Sequence, residues 1–465
     1  MPAKYNIPTR PVPPRIPPVG RLGIVDWRED CSACHNCVKE RCVYGFFRDE
    51  ADTLREEIGY LDYVYQCKGC LSCVQNCTKG ILTRVINPEY ELLGDEYFTP
   101  EIILVTWYQA ETGRIPVSGS GYGGPFSGPG FDSMWTDMSE IVRPTRDGIH
   151  GREYINTSVD IGRRLPHLSF ENGELSVSPP PLIENPLPVI FDIIPGHWDR
   201  GLMVQSIVKA ASEIGTMVVL RDLERIDSSV GEQCVIPLVD NTEIDEIPAN
   251  APMVMLPDRE DVAAVRDALK KRNEDQIVAI RLKTTPEAAG RVIKLVREGA
   301  EVIHLVFDRH GREGGTSNPR HARDVLREVH GALTEEGIRD QVTLIASGGI
   351  ALAEHMTKAI ICGANLVAVD IPLLLALECR LCGECERGET CPNDIEDFEL
   401  DYGVQRIVNL MSAWRNQLLE MLGAMGIREV RRLRGETGRC MFFEDLERDT
   451  FGRLFGERKE QVGAR

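Results

Sequence analysis

Short apolar runs alternate with amphipathic stretches through the middle of the chain. Eight runs of five to seven residues, rich in Val, Ile and Leu, begin at positions 188, 216, 234, 252, 277, 302, 342 and 366. Such runs are typical of parallel strands that are buried on both faces. Between them, segments such as DREDVAAVRDALKKR and PEAAGRVIKLVREG place apolar residues every three to four positions, which indicates helices. The pattern predicts an α/β fold, a (β/α)8 TIM-like barrel over residues 186–378 with its site at the carboxyl ends of the strands.

A doubly wound parallel sheet is the alternative to the barrel. It stays open because the runs at 234 and 252 have no clear helical stretch between them.

Three segments outside the barrel have a different composition. MPAKYNIPTRPVPPRIPPVG contains seven prolines, which predicts an extended arm over residues 1–22 that is either a solvated tail or a docking arm for a partner subunit. Residues 93–185 are predicted to form a linker, because the stretch SGYGGPFSGPG within them is too rich in glycine for a helix or an interior strand. The arginines that follow either fold back over an anionic group at the barrel or form salt bridges on the surface. Residues 396–465 are expected to form C-terminal helices.

Charge excludes some partners. Lys and Arg total 53 against 72 Asp and Glu, a net charge of −19, so the surface should repel nucleic acid and anionic lipid. No apolar stretch approaches a membrane span, so no direct membrane insertion is expected. We expect a cytoplasmic protein.

Twelve of the fifteen cysteines lie in three tight clusters. In a large protein of this kind, such clusters indicate metal ligation rather than disulfides. The clusters are Cys31, Cys34, Cys37 and Cys42, then Cys67, Cys70, Cys73 and Cys77, then Cys379, Cys382, Cys385 and Cys391. The remaining Cys234, Cys362 and Cys440 lie in or near apolar segments and are expected to be inert buried thiols.

The first two clusters have the spacing of a bacterial-type 2[4Fe-4S] ferredoxin domain, predicted here over residues 23–92. In that arrangement three cysteines of one run and the last cysteine of the other run hold each cluster. The predicted ligand sets are Cys31, Cys34, Cys37 and Cys77 for one 4Fe-4S cluster and Cys67, Cys70, Cys73 and Cys42 for the other. The first run has one extra residue before its last cysteine, and Val43 and Thr78 stand where proline is usual, so zinc stays an alternative.

Several strand ends carry groups that suit an anion. Arg281 lies in the fifth run, Gly314, Gly315 and Thr316 follow the sixth, and Ser347, Gly348 and Gly349 end the seventh. Glycines at such positions let backbone N–H groups approach a phosphate. The alternative is that they form ordinary tight turns and that Arg281 forms an ion pair.

These motifs, in this order and followed by GANLVAVD, LLLALEC and a cysteine run that ends in CP, resemble the FMN-binding synthase domain of glutamate synthase. The N-terminal clusters make the whole similar to the archaeal type of that family. The resemblance implies an FMN at the barrel mouth, held by Gly314, Gly315, Thr316, Ser347, Gly348 and Gly349. It also implies a catalytic role for Arg281, which stands where the family has lysine and would stabilise negative charge near the flavin ring.

Two departures from the family concern the barrel mouth. DIIPGHWDR replaces a family motif after the first strand, and Asp370 stands where the family has glycine and would repel a phosphate. Because position 2 is Pro2, the glutamine-hydrolysing domain with its N-terminal cysteine nucleophile is not expected.

The third cysteine cluster forms the predicted iron–sulfur loop at residues 379–395. In the family, three cysteines followed by proline hold a 3Fe-4S cluster, and Cys379, Cys385 and Cys391 with Pro392 match that pattern apart from one extra residue. Cys382 adds a fourth thiolate, which favours 4Fe-4S and leaves 3Fe-4S open.

Three functions follow as hypotheses. The favoured one is an oxidoreductase that relays electrons between a barrel-bound FMN and three iron–sulfur clusters within a larger redox complex. Its partners would be an electron donor or acceptor protein or other redox subunits. The second is a working glutamate synthase core that makes glutamate from 2-oxoglutarate, ammonia and reductant, with a separate amidotransferase subunit as a possible source of ammonia. The third is an iron–sulfur scaffold subunit without flavin.

Overall fold

A computed structural model gives the fold. It describes residues 5–16, 19–23, 72–80, 85–116, 126–136, 154–165, 167–195, 201–221, 232–239, 247, 251–395 and 397–456. In chain order the strands are β1 (Leu22–Gly23), β2 (Val85–Ile86), β3 (Met134–Thr136), β4 (Val159–Gly162), β5 (Phe170–Glu171), β6 (Glu174–Leu175), β7 (Leu182–Asn185), β8 (Val189–Phe191), β9 (Val218–Leu220), β10 (Val235–Pro237), β11 (Met253–Pro257), β12 (Ile277–Lys283), β13 (Val302–Val306), β14 (Thr343–Ser347), β15 (Leu366–Val369) and β16 (Cys440–Phe442). The α-helices are α1 (Ser72–Gln75), α2 (Pro88–Glu91), α3 (Pro100–Thr112), α4 (Gly201–Ile214), α5 (Val262–Arg272), α6 (Ala288–Arg297), α7 (Ala322–Glu335), α8 (Ala353–Ile361), α9 (Ile371–Ala376), α10 (Leu400–Ala424), α11 (Phe443–Glu447) and α12 (Arg453–Phe455).

Strands β8 to β15 form one parallel sheet in the order β10-β9-β8-β15-β14-β13-β12-β11. The two ends of this order meet, because Leu238 and Met255 form a parallel bridge and the Val239 N–H donates to the Met255 carbonyl at 2.9 Å. The sheet is therefore closed. The predicted eight-stranded α/β barrel is confirmed, and an open doubly wound sheet is excluded.

The barrel wall owes its stability to apolar burial. The strand residues Val278, Ile280 and Leu344 are fully buried, as the continuous apolar runs require. Outside the wall, α6 buries only one face, with Val292 and Leu295 inward and the basic Lys294 and Arg297 in its last turn.

The 25-residue helix α10 packs against α4 and α3 and carries the buried Trp414. Helix α3 begins at Pro100, a residue favoured in the first turn, and ends where Gly113 adopts φ +68°. A side chain at Gly113 would also approach Thr9 of the N-terminal arm. The arm therefore lies against the helical layer.

Two arginines of the predicted linker lie far from the barrel mouth. Strand β4 is fixed to the amino end of β14, where the Gly162 N–H donates to Thr343 Oγ1 at 3.2 Å. Next to it, Arg163 donates to Gln341 and Arg164 forms an ion pair with Asp160. These two arginines form polar contacts at the end of the barrel opposite its mouth.

The predicted ferredoxin domain lies mostly outside the described residues. Cys31, Cys34, Cys37, Cys42, Cys67 and Cys70 are in that part. Cys73 falls within α1, and Cys77 follows it. The ferredoxin domain, its two ligand sets and the domain boundaries stay predictions. Among the described residues, none of the helices combines the length and the apolar character that a membrane crossing needs.

Candidate functional site

A cavity of about 460 Å³ opens at the carboxyl ends of the barrel strands. It is called the mouth cavity here. Its polar walls come from the ends of six strands because parallel strands direct their carboxyl ends to one rim. The lining residues are Asp192, Ile193, Ile194, Pro195, Arg221, Arg281, Val306, Phe307, Arg309, Ser347, Gly348 and Asp370.

Arg281 reaches the mouth cavity, as predicted, but its guanidinium is bound by a carboxylate. Arg281 Nη1 and Nη2 donate to Asp192 Oδ1 and Oδ2 at 2.6 and 3.0 Å, a bidentate pair. Burial raises the pKa of Asp192, and the Arg281 charge beside it more than reverses this, so that the pKa lies below its usual range. The Arg281 charge is therefore compensated inside the protein.

His304 extends this pair across the barrel. Because arginine only donates, His304 Nδ1 accepts from Arg281 Nη1 at 3.0 Å, and His304 Nε2 is left to donate to Ser347 Oγ at 2.8 Å. Burial, then the Arg281 charge, lowers the pKa of His304 to about 3, so the ring is neutral. Ser347 in turn keeps a hydroxyl hydrogen that can be donated to a ligand in the mouth cavity.

Asp370 follows β15 and caps the short helix α9. Its carboxylate accepts from the Ile371 N–H at 2.6 Å, and the next residue, Pro372, has no N–H. Burial and then the nearby Asp192 carboxylate raise the pKa of Asp370 to about 6. A side-chain carboxylate thus occupies the backbone donor that a phosphate at this strand end would use.

Gly348 and Gly349 have a packing role in addition to any binding role. Both have left-handed backbone angles, with φ +95° and +70°. A side chain at Gly348 would lie 2.3 Å from the Asp308 carbonyl oxygen, and one at Gly349 would lie 2.6 Å from Gly311 Cα. The loop after β13 therefore packs directly on the end of β14, which only glycine permits.

Gly314, Gly315 and Thr316 are exposed and do not line the mouth cavity. The Gly314 N–H donates to the Thr284 carbonyl at 2.9 Å, which ties this turn to the end of β12. The predicted cofactor-binding residues are therefore divided: Ser347 and Gly348 line the mouth cavity with Arg281, and the GGT segment lies outside it.

The third cysteine cluster surrounds a second cavity of about 210 Å³, called the cysteine cavity here. All four thiols line it, and all four are free. Its walls are Gly94, Arg309, Cys379, Arg380, Leu381, Cys382, Gly383, Cys385, Glu386, Cys391, Pro392 and Asn393.

The backbone around the cysteine cavity is tightly curled. Glu378, Leu381 and Asp394 have φ of +71°, +51° and +43°, values that non-glycine residues rarely adopt. Such residues cluster at functional sites, where other contacts hold the strained conformation. Burial raises the pKa of Cys379 to about 12; the Leu381 N–H that donates to this sulfur lowers it, and the neighbouring cysteine thiols raise it further. A bound metal would hold this sulfur deprotonated. The geometry brings the four predicted ligands of the third cluster together.

The two cavities are neighbours. Arg309, in the loop after β13, lines both of them. Its guanidinium binds Asp95 at 2.7 Å and lies 3.6 Å from Glu386 of the cysteine loop. The Gly94 N–H donates to the Arg380 carbonyl at 2.9 Å, so the segment before α3 closes the same wall.

Sequence reasoning missed Asp192, His304, Asp95 and Arg309. Two weak signals were present: an acidic residue directly after the first strand, and a histidine inside the apolar run VIHLVF. Asp95 and Arg309 gave no signal, because their contact joins segments more than 200 residues apart.

A further polar cluster lies beneath α8 but has the contacts of an ion-pair network. His355 Nδ1 accepts from the Ala351 N–H at 3.2 Å, and Nε2 lies 2.9 Å from Asp132 Oδ1. Lys358 is 3.7 Å from the same carboxylate. Both ring nitrogens of His355 already have partners, and Glu354 accepts from the Gln417 side-chain amide at 2.8 Å, so the contacts of Asp132, Glu354 and His355 are those of an internal polar network.

Comparison with known proteins places this architecture in context. Residues 243–428 match a family model described as the conserved region in glutamate synthase. The archaeal glutamate synthase [NADPH] of Archaeoglobus fulgidus is 25% identical over 92% of this chain and 96% of its own length. The archaeal-type glutamate synthase [NADPH] of Dehalococcoides mccartyi is 25% identical over 89% of this chain and 93% of its own. Among solved structures, a mandelate oxidase variant with benzaldehyde has a TM-score of 0.39 and 15% identity, covering 65% of this chain and 98% of that one. The predicted resemblance to the glutamate synthase family is confirmed.

Proposed function

We propose that this protein is an iron–sulfur flavoprotein oxidoreductase of the glutamate synthase type. In this proposal an FMN at the mouth cavity exchanges electrons with a cluster held by Cys379, Cys382, Cys385 and Cys391. The N-terminal clusters continue the relay toward an electron donor or acceptor within a larger redox complex. The observation that carries the proposal is that Arg309 lines both the mouth cavity and the cysteine cavity.

The mouth cavity fits the ring part of a flavin better than its phosphate. A volume of about 460 Å³ is in the usual range for cofactor sites, and two cations other than the paired Arg281, namely Arg221 and Arg309, line its walls. The phosphate position at the start of α9, however, is taken by the Asp370 carboxylate. The cavity therefore has room for the flavin ring. The flavin phosphate would need either a protonated Asp370 or the part of the wall that carries Arg221 and Arg309.

A bound flavin would supply hydride and single-electron transfer. The residues of this chain supply position and charge. The Asp192–Arg281 pair and neutral His304 form a rigid floor, and Ser347 presents its hydroxyl to the cavity. The loop after β13 packs against Gly348 and Gly349. Its Arg309 forms part of the wall of both cavities and so lies between them.

A second candidate function is a working glutamate synthase core. It is supported by the two relatives named glutamate synthase [NADPH] that align along about nine-tenths of this chain. The Asp192–Arg281 pair argues against it, because a dicarboxylate substrate such as 2-oxoglutarate requires uncompensated cations. The third candidate, a scaffold without flavin, is supported by the position of Asp370.

One experiment separates the three. The protein is purified without oxygen, reconstituted with FMN, and analysed for iron, sulfide and flavin, with EPR spectra of the reduced form. The proposal expects flavin, three clusters and reversible reduction of both without glutamate formation from 2-oxoglutarate and ammonia. Glutamate formation with reduced ferredoxin or viologen would establish the synthase core instead, and clusters without flavin would leave only the scaffold.

A further inference from the structure

The proline-rich arm forms part of the folded core. Ile7 and Val12 of this arm are buried, and the Tyr5 hydroxyl donates to the Ile214 carbonyl at the end of α4 at 2.8 Å. Four prolines within residues 5–16 restrict the backbone to extended conformations, which lowers the entropy lost when the arm docks. Asn409 of α10 pairs with the arm, since its Nδ2 donates to the Arg10 carbonyl at 2.8 Å. The Val12 N–H donates to the Glu111 carbonyl at 2.8 Å.

Arg15 of the arm contacts the cysteine loop at several points. Arg15 Nη1 and Nη2 donate to three carbonyl oxygens just after Cys391, those of Asn393, Asp394 and Asp397, at 3.3, 3.3 and 2.5 Å. The guanidinium also lies 5.4 Å from the centre of the Tyr402 ring. A planar group with five donors suits such a set of acceptors, and a lysine does not.

The same arginine binds the residue that precedes the cysteine loop. Glu378 Oε1 accepts from the Arg15 backbone N–H at 3.0 Å, and Glu378 Oε2 accepts from Arg15 Nε at 3.2 Å. The Glu378 side chain is 1% exposed, and its carboxylate also accepts from the Tyr402 hydroxyl at 2.9 Å. A buried carboxylate requires such partners.

Glu378 and Asn393 connect the two ends of the loop. Asn393 Nδ2 donates to the Glu378 carbonyl at 2.6 Å, while the Asn393 carbonyl accepts from Arg15. Cys379 follows Glu378 directly, and Cys391 lies two residues before Asn393. Arg15 therefore contacts both the residue before the first cysteine of the loop and the residues after the last one.

We propose that Arg15 is a positioning residue for the third cluster and that the N-terminal arm acts as the clamp of the cysteine loop. The proposal rests on the proposed function in that the loop holds a cluster. In metal sites, loss of a group that orients the ligands typically weakens metal retention by about 10- to 100-fold. The arm supplies that orientation from a point 363 residues away in sequence.

The test compares three arm variants in the full-length protein. Arg15→Ala removes the clamp, Arg15→Lys keeps the charge without the planar fork, and Arg10→Ala is the matched control, since the Arg10 side chain is exposed and its arm contacts are made by its backbone. A Cys391→Ser variant assigns the third-cluster EPR signal. We expect the chelator concentration that removes half of that signal to fall about 10- to 100-fold in Arg15→Ala. Arg15→Lys should be intermediate and Arg10→Ala unchanged, with the N-terminal cluster signals equal in all.

Hydrogen exchange of residues 379–397 gives a second readout that does not require a cluster. Faster exchange in Arg15→Ala than in Arg10→Ala supports the clamp even if wild-type protein holds no third cluster, a result that would defeat the proposed function alone. Equal exchange and equal chelator resistance in Arg15→Ala and wild type would overturn the clamp. If Arg15→Ala does not fold, the same comparison is made between Arg15→Lys and Arg10→Ala.

Discussion

The mouth cavity and the cysteine cavity lie side by side but differ in how their polar groups are used. At the mouth, the Arg281 guanidinium is bound to Asp192, His304 is neutral between two partners, and Asp370 caps α9. Around the cysteine cavity, four free thiols face one space. One region has satisfied its charges internally, and the other has collected ligand atoms whose partner must come from outside the chain.

This difference indicates where external chemistry enters. A buried polar network with paired members is rigid and gains little from a charged ligand. Four thiols that face one cavity from a strained backbone do not satisfy one another in this way, which indicates a ligand from outside the chain. The cysteine cavity is therefore the stronger indication of function. At the mouth cavity, the clearest property is that the Asp370 carboxylate disfavours an anion bound beside it.

The largest expected effect is at the cysteine cavity. Cys391→Ser removes a thiolate at the end of the loop that Arg15 and Asn393 hold, so we expect complete loss of the third-cluster EPR signal and of its share of iron and sulfide. Cys440→Ser, a cysteine outside the loop, is the matched control and should retain the full content. An unchanged spectrum in Cys391→Ser would show that the cavity holds no cluster.

The two regions also differ in how far the sequence predicts them. The convergence of four cysteines on one cavity could be predicted because they lie within thirteen residues, and local spacing is readable in one sequence. The Arg281–Asp192 pair joins residues 89 positions apart, and no local pattern marks it. Glycine at 348 and 349 was ambiguous for a physical reason, since a phosphate cradle and a close backbone crossing both require left-handed angles.

The barrel itself was predictable because parallel strands buried on both faces have a continuous apolar sequence. Its closure left the doubly wound sheet open as an alternative, since closure depends on the Leu238–Met255 bridge, which joins the two weakest runs. The contacts of the arm could not be predicted from the sequence either, because they also join distant segments. Prolines predict an extended segment, but the contacts of Arg15 depend on a carboxylate 363 residues away.

The second prediction tests whether the mouth charges are as tightly coupled as their distances indicate. Asp192→Asn leaves Arg281 in a largely buried position without its counter-charge, so we expect the free energy of unfolding to fall by about 3–5 kcal/mol. Asp261→Asn breaks the Arg259 pair in which the aspartate side chain is 62% exposed, and it should cause little change. Thermal unfolding of the two variants beside wild type provides the measurement. Equal stability would mean that the mouth charges are hydrated and available to a ligand.

The third prediction concerns the type of the third cluster. Cys382 lines the cysteine cavity together with the three cysteines that match the family pattern. If all four are ligands, Cys382→Ser leaves three thiolates, and the EPR signature should change to a three-iron type without loss of the whole cluster. A spectrum identical to wild type would show that Cys382 is not a ligand.

The smallest expected effect, and the one that distinguishes the two cavities by pH, is at Asp370. Burial first, and then Asp192, raise its pKa from 3.8 to about 6, so the folded chain binds this proton more tightly than the unfolded chain. The cost of the buried charge is therefore absent below about pH 4 and fully present above about pH 6, and stability should fall as the pH rises through that window. Asp370→Asn keeps an oxygen that can cap Ile371 and removes the charge. We expect the free energy of unfolding of this variant to rise by on the order of 2 kcal/mol at pH 8 and not at all at pH 4, which thermal unfolding at both pH values checks.

FMN retention on the reconstituted protein should rise in the same variant at pH 8, because the phosphate no longer meets a carboxylate. The control Asp261→Asn, at a carboxylate 62% exposed, should show neither change, and an Asp370→Asn variant that gains stability equally at both pH values would contradict the assignment of the proton to Asp370.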